Sequence, residues 1–175
     1  SNAVAALMFD GMPLQRVGGI TEALTRLAGE SLDGLYVQIV RVGTDGLAHG
    51  RREVSPQEVA ATVAAVREDL LRVIELLRHT GQPGAVYLVS DHGLLWKHEH
   101  ELHEAGGGRA DHPRYATVSL ADDAPVTRYE AAGITFSLFH YPHLGMPVRA
   151  NNSGVHGGLS YWESIVPFVH VEVNL

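Results

Sequence analysis

No cysteine occurs anywhere in the 175 residues. Disulfides and thiolate metal sites are therefore excluded, and any metal must be held by His, Asp and Glu. The same absence fits a cytoplasmic protein. Long apolar runs are missing as well: nothing approaches the roughly 20 residues that a membrane span needs, and no leader pattern for secretion is expected. Basic residues are few, 13 Lys and Arg against 20 Asp and Glu for a net charge of −7, which argues against a broad nucleic-acid-binding surface. A phosphate substrate at a local site stays open, because bound dications can dominate the field there.

What is present is an ordinary globular composition, 45% hydrophobic with mean hydropathy near zero. The length suits a single domain with one core over residues 1–175. Ser1-Asn2-Ala3 has the look of an expression-tag remnant, so the expectation is a trimmed domain or a piece of a longer protein with other domains. Histidine is abundant, with 11 residues that cluster, and their spacing decides whether they are decoration or ligands.

Val4 to Phe9 reads as a buried strand closed by the turn Asp10-Gly11-Met12-Pro13, which puts Asp10 at a strand end. Ile20, Leu24 and Leu27 recur at helical spacing before Gly29. Leu35 to Val42 is rich in β-branched residues and reads as a second strand. It runs into a glycine-punctuated loop in which Asp45 and His49 stand four apart, aligned if the stretch winds into a helical turn and otherwise simply turn residues.

Ser55-Pro56-Gln57-Glu58 carries a capping box and a helix-starting proline, and Val59, Val63, Val66, Leu70, Val73, Ile74 and Leu77 form one stripe, predicting a helix from Pro56 to His79. The apolar run Val86 to Val89 follows and stops on Ser90-Asp91-His92-Gly93. A strand delivers side chains to a fixed point at its end, where open α/β sheets place ligands, and an oxygen donor beside a nitrogen donor suggests a metal. The plain alternative is a strand followed by an acidic turn. Strand, helix, strand in this order predicts a right-handed crossover and a parallel pair.

Residues 97–104 alternate imidazoles with acids. His98, His100 and His103 are better read as a solvated polar loop than as ligands, since the run has no apolar face. Gly106 to Gly108 breaks any helix, and Tyr115 to Leu120 and Ile134 to Phe139 read as strands of a small antiparallel element inserted over 97–149. Near the end, glycines leave His156 presented on a loop before a short helix with the box Ser160/Glu163, which Pro167 stops before a last strand from Phe168 to Val173.

Taken in order, Asp45-x-x-x-His49, Ser90-Asp91-His92-Gly93 and His156-Gly157-Gly158-Leu159-Ser160 with Val166-Pro167 resemble the alkaline phosphatase superfamily, and within it the PglZ domain. The resemblance covers about 35–98 and 151–173. It implies a three-layer α/β/α sandwich with a mostly parallel sheet and a site for two divalent metals, zinc or alternatively manganese. Asp45, His49 and His156 would hold one metal. Asp91 and His92 would hold the second, with Asp10 resembling a further ligand from the first strand.

The implied activity is that of a metal-dependent phosphoesterase, phosphodiesterase or phosphatase, acting on a phosphate-ester substrate. The chain departs from the family pattern at the nucleophile: Thr21 is the nearest candidate, with Ser31 behind it, and neither sits in a recognisable motif. The alternative is a degenerate superfamily domain without a nucleophile that serves as a structural or interaction module.

Overall fold

Ser55 and Glu58 set the start of the longest helix. The Ser55 N–H donates to Glu58 Oε2 at 2.9 Å and the Glu58 N–H to Ser55 Oγ at 3.2 Å, so two otherwise unpaired donors are satisfied reciprocally. At its far end Gly81 adopts a φ of +67°, the left-handed stop that favours glycine. A computed structural model describes residues 14–29, 34, 36–50, 53–81, 83–105 and 110–174. The expectations for Ser1–Ala3, the Val4–Phe9 strand and its turn, Asp10, Ser31 and the Gly106–Gly108 break lie outside them.

Among the described residues the helices are α1 (Ile20–Gly29), α2 (Asp45–Ala48), α3 (Pro56–Thr80) and α4 (Tyr161–Ser164). The strands are β1 (Leu14–Val17), β2 (Tyr36–Ile39), β3 (Gly84–Val89), β4 (Leu95–Trp96), β5 (His103–Glu104), β6 (Tyr115–Ala116), β7 (Val126–Ala131), β8 (Ile134–Phe139), β9 (His143–Leu144), β10 (Gly154–Val155) and β11 (Phe168–Val173).

The chain divides into two compact units. One holds Ser1–Gly43, Ala60–Leu88 and Val169–Leu175; the other holds Thr44–Val59 and Val89–Phe168.

In the first unit, Leu27 of α1 and Val73, Ile74 and Leu77 of α3 pack with Val173 of β11 into a core, with Val37, Ile39, Val86 and Val171 against it. The α3 stripe is buried only in its second half, since Val63 remains exposed. β1 runs parallel to β2, and β3 pairs with β11.

In the second unit β6, β8 and β7 form an antiparallel sheet over a core of Ala110, Ala116, Leu120 and Phe139. The β7–β8 hairpin turns on Ala132 and Gly133, whose φ of 51° and 75° match the two-residue loop that the strand twist requires. An alanine at a left-handed position hides that turn from a sequence reading.

The expected three-layer α/β/α sandwich with a mostly parallel sheet is not formed. The sheets among the described residues have two or three strands, and most of the paired strands run antiparallel. The predicted β2–β3 parallel neighbours each take another partner, β1 and β11. The antiparallel element β6-β8-β7 is the one three-stranded sheet among the described residues, and no larger parallel sheet surrounds it there.

The physical reason shows in β3. A sandwich strand is covered on both faces, but β3 alternates, with Tyr87 54% and Val89 59% exposed. Only one face of this run is packed against a core. Among the described residues no helix is long and apolar enough to cross a membrane.

Candidate metal centre

The site is assembled in the second unit by a pair of two-residue strands. β4 and β10 run antiparallel with Leu95 opposite Val155 and Trp96 opposite Gly154. That register carries the segment before Leu95, Asp91-His92-Gly93, alongside the residue after Val155, His156. A third segment joins them: the Ser153 N–H donates to Ala48 O at 2.9 Å and Ser153 Oγ to Leu47 O at 3.1 Å, tying the turn of α2 to the start of β10. Gly154 allows this approach, because a Cβ there would stand 3.2 Å from the Ala48 Cβ.

Asp45–His49 does wind into a single helical turn, closed by the His49 N–H on Asp45 O at 3.2 Å. Both side chains then meet His156. Asp45 Oδ1 lies 3.2 Å from His49 Nε2 and 3.6 Å from His156 Nε2, and the two nitrogens are 3.4 Å apart. Donor atoms about 2.0–2.1 Å from a tetrahedral zinc stand about 3.3 Å from one another, so this triangle has the size of one face of such a site. Asp45 Oδ1 is buried and takes no hydrogen bond although two imidazoles are close, as expected of lone pairs aimed at a common point. One carboxylate and two imidazoles suit zinc or manganese.

Asp91 and His92 sit beside this group. The His92 ring stacks on His156 at 3.9 Å between centroids and 13° between planes. His92 Nδ1 lies 2.9 Å from the Gly93 carbonyl, which can only accept, so Nδ1 carries the proton and Nε2 keeps its lone pair. Asp91 Oδ1 accepts the His92 N–H at 3.1 Å, and its side chain is 87% exposed. Among the described residues Asp45, His49 and His156 form one ligand-sized group of three, and Asp91 and His92 fall outside it.

Burial holds His156 below the ordinary 6.5, helped by the neighbouring His92 and opposed by Asp45. A neutral imidazole is the form that binds metal.

Two glycines of the motifs are explained by close packing. A Cβ at Gly93 would stand 1.9 Å from the Trp162 carbonyl oxygen, and the Gly93 N–H donates to Glu163 O at 2.9 Å, so the Asp91-His92 loop rests on the backbone of α4. A Cβ at Gly158 would stand 2.6 Å from Arg114 Nε. The Arg114 guanidinium is clamped by Glu163 and also donates to Phe139 O at 3.0 Å and to His143 O. Glu163, expected only as half of a capping box, is buried. Its carboxylate accepts from Arg114, from the Gly158 N–H at 3.1 Å and from Ser160 Oγ at 2.6 Å, while Ser160 caps α4 by accepting the Glu163 N–H.

Thr21 is exposed on α1, in the first unit, whereas the donor cluster is in the second. In the His98–His103 run His98 and His103 are exposed, as expected of a solvated loop, whereas His100 stands against Trp162 and Tyr141 at 4.4 and 5.5 Å.

Four residues beside the cluster were not singled out from sequence in these roles. Asn152 Nδ2 reaches His49 Nδ1 at 3.2 Å, and its Oδ1 accepts the Gly50 N–H at 3.3 Å. His112 stands 6.1 Å from His156 between ring centroids, and Arg114 and Glu163 buttress both loops. The run Asp111-His112-Pro113-Arg114, placed between two buried alanines, was the available signal. No family model matches the chain, and no curated protein matches it.

Proposed function

We propose that this chain is a metal-dependent phosphoesterase domain, acting on a phosphodiester or phosphomonoester, with Asp45, His49 and His156 holding one divalent metal and Asp91 and His92 contributing to a second. The observation that carries the reading is the triangle of Asp45 Oδ1, His49 Nε2 and His156 Nε2 with edges of 3.2 to 3.6 Å. His92 Nε2, whose lone pair is left by the Nδ1 contact and which lies 3.7 Å from Asp91 Oδ1, supports a second position beside it.

A bound dication there supplies Lewis-acid polarisation of a phosphoryl oxygen. The chain's own part is to hold these donors in place through the Ser153, Gly93 and Glu163 contacts. The resemblance to the PglZ domain of the alkaline phosphatase superfamily belongs to the same proposal, as does a cytoplasmic location, which a chain without cysteine suits.

A degenerate domain that keeps the cluster as a scaffold is the second reading. It is favoured by the exposure of Asp91 and by the separation of Asp91 and His92 from the group of three.

Metal analysis of the purified chain after incubation with zinc or manganese separates the two. About two equivalents per chain, together with hydrolysis of an aryl phosphate or diester that is lost in Asp91→Ala, supports the phosphoesterase. A folded protein that takes up no metal, or equal rates in the wild type and Asp91→Ala, overturns it.

A further inference from the structure

We infer that His112 is a substrate-binding hydrogen-bond donor aimed at the phosphoryl oxygens, standing beside the metal ligands without being one of them; this rests on the phosphoesterase reading above. The Arg114 backbone N–H donates to His112 Nδ1 at 3.2 Å. A peptide N–H can only donate, so Nδ1 accepts, and the proton of the neutral ring must lie on Nε2. With one nitrogen's lone pair engaged by a fixed backbone amide and the other nitrogen protonated, the ring has no pair left for a metal and one N–H left to give; His49 differs, since the group on its Nδ1 is the side-chain amide of Asn152, which can turn over to accept.

His92 has the opposite arrangement, with Nδ1 donating to the Gly93 carbonyl and Nε2 3.7 Å from Asp91 Oδ1. His156 therefore stands between one imidazole set to ligate, stacked on it at 3.9 Å, and one set to donate, 6.1 Å away between centroids.

The placement of His112 is built. Its ring stacks on Tyr115 at 4.4 Å and 16°, and its Cε1, the atom next to Nε2, lies 4.0 Å from where a Cβ of Gly157 would stand. The amide that sets the tautomer belongs to Arg114, whose side chain is wholly buried against Glu163. The other end of the loop is tied by Asp111, which accepts the Thr117 N–H at 3.2 Å and the Thr117 hydroxyl. Burial and the nearby His156 both disfavour a charge on His112. A neutral, fixed N–H next to the donor cluster is what an anionic oxygen needs as a partner, and such charge-assisted bonds are the strong ones.

The test uses the zinc-loaded chain and inorganic phosphate, with zinc content and phosphate affinity measured separately by metal analysis and calorimetry. His112→Ala is expected to keep wild-type zinc content and to bind phosphate about 10-fold or more weakly, the loss of one hydrogen bond to a charged group. His112→Gln, which retains an N–H donor, is expected to recover part of that loss, and it carries the test if the alanine variant does not fold. Asp45→Ala, by contrast, should lose zinc.

Phosphate affinity within twofold of wild type in both His112 variants overturns the donor role. Zinc loss in His112→Gln comparable to that of Asp45→Ala also overturns it, by making His112 a ligand. A wild-type chain that takes up no metal overturns the phosphoesterase reading itself, and the role of His112 falls with it.

Discussion

Arg114 and Glu163 meet as a two-pronged buried pair, with Nε to Oε1 at 2.9 Å and an Nη to Oε2 at 2.8 Å and side-chain exposures of 0% and 1%. They are 49 residues apart in sequence, and each anchors one of the loops that flank the donor cluster. Arg114 leads from His112, and Glu163 receives the N–H of Gly158, two residues after His156.

Breaking this pair from one side leaves a buried charge alone. Glu163→Ala is expected to cost about 3–5 kcal/mol, more than a surface ion pair would. Urea denaturation of the metal-free chain measures it, and a loss below about 1 kcal/mol would mean that water reaches the guanidinium.

Gly93 has no room for a side chain. Gly93→Ala sets a methyl 1.9 Å from the Trp162 carbonyl oxygen, and because the obstacle is backbone, the Asp91-His92 loop must move. The expected cost is about 3 kcal/mol, with weakened metal uptake alongside it. Thermal unfolding and metal titration on one preparation check both, and unchanged metal affinity would show that the loop does not need this seat.

His156 has a depressed pKa in the folded chain. The unfolded chain then binds the proton more readily, so the contribution of this group to stability is complete above its ordinary 6.5 and is lost as pH falls through its lower folded value. Ring-resonance titration of the metal-free protein should place the midpoint below 6.5, and His92→Ala, which removes the next-largest cause after burial, should raise it. A midpoint at or above 6.5 in the wild type would contradict the burial seen here.

The alignment of Asp45 with His49 was legible in the chain because it depends on short spacing. Asp45 and His49 align because one helical turn separates them, and the lack of cysteine restricts the donors to nitrogen and oxygen before any folding is considered. The cap at Ser55 and the stop at Gly81 are likewise local, since their hydrogen bonds close within a few residues.

What only the tertiary structure decided has partners far apart in sequence. His49 and His156 are separated by 107 residues, and they meet because a two-residue β4–β10 pairing and the Ser153 contacts bring three segments to one point. The partner of β3 was decided in the same way. An apolar run states that one face will be covered, but not by which strand or on how many faces, and here β11 took the edge while Tyr87, stacked on His170, stayed half exposed. The direction of the proton on His112 followed last, from a single backbone amide whose position depends on a buried arginine and its carboxylate partner.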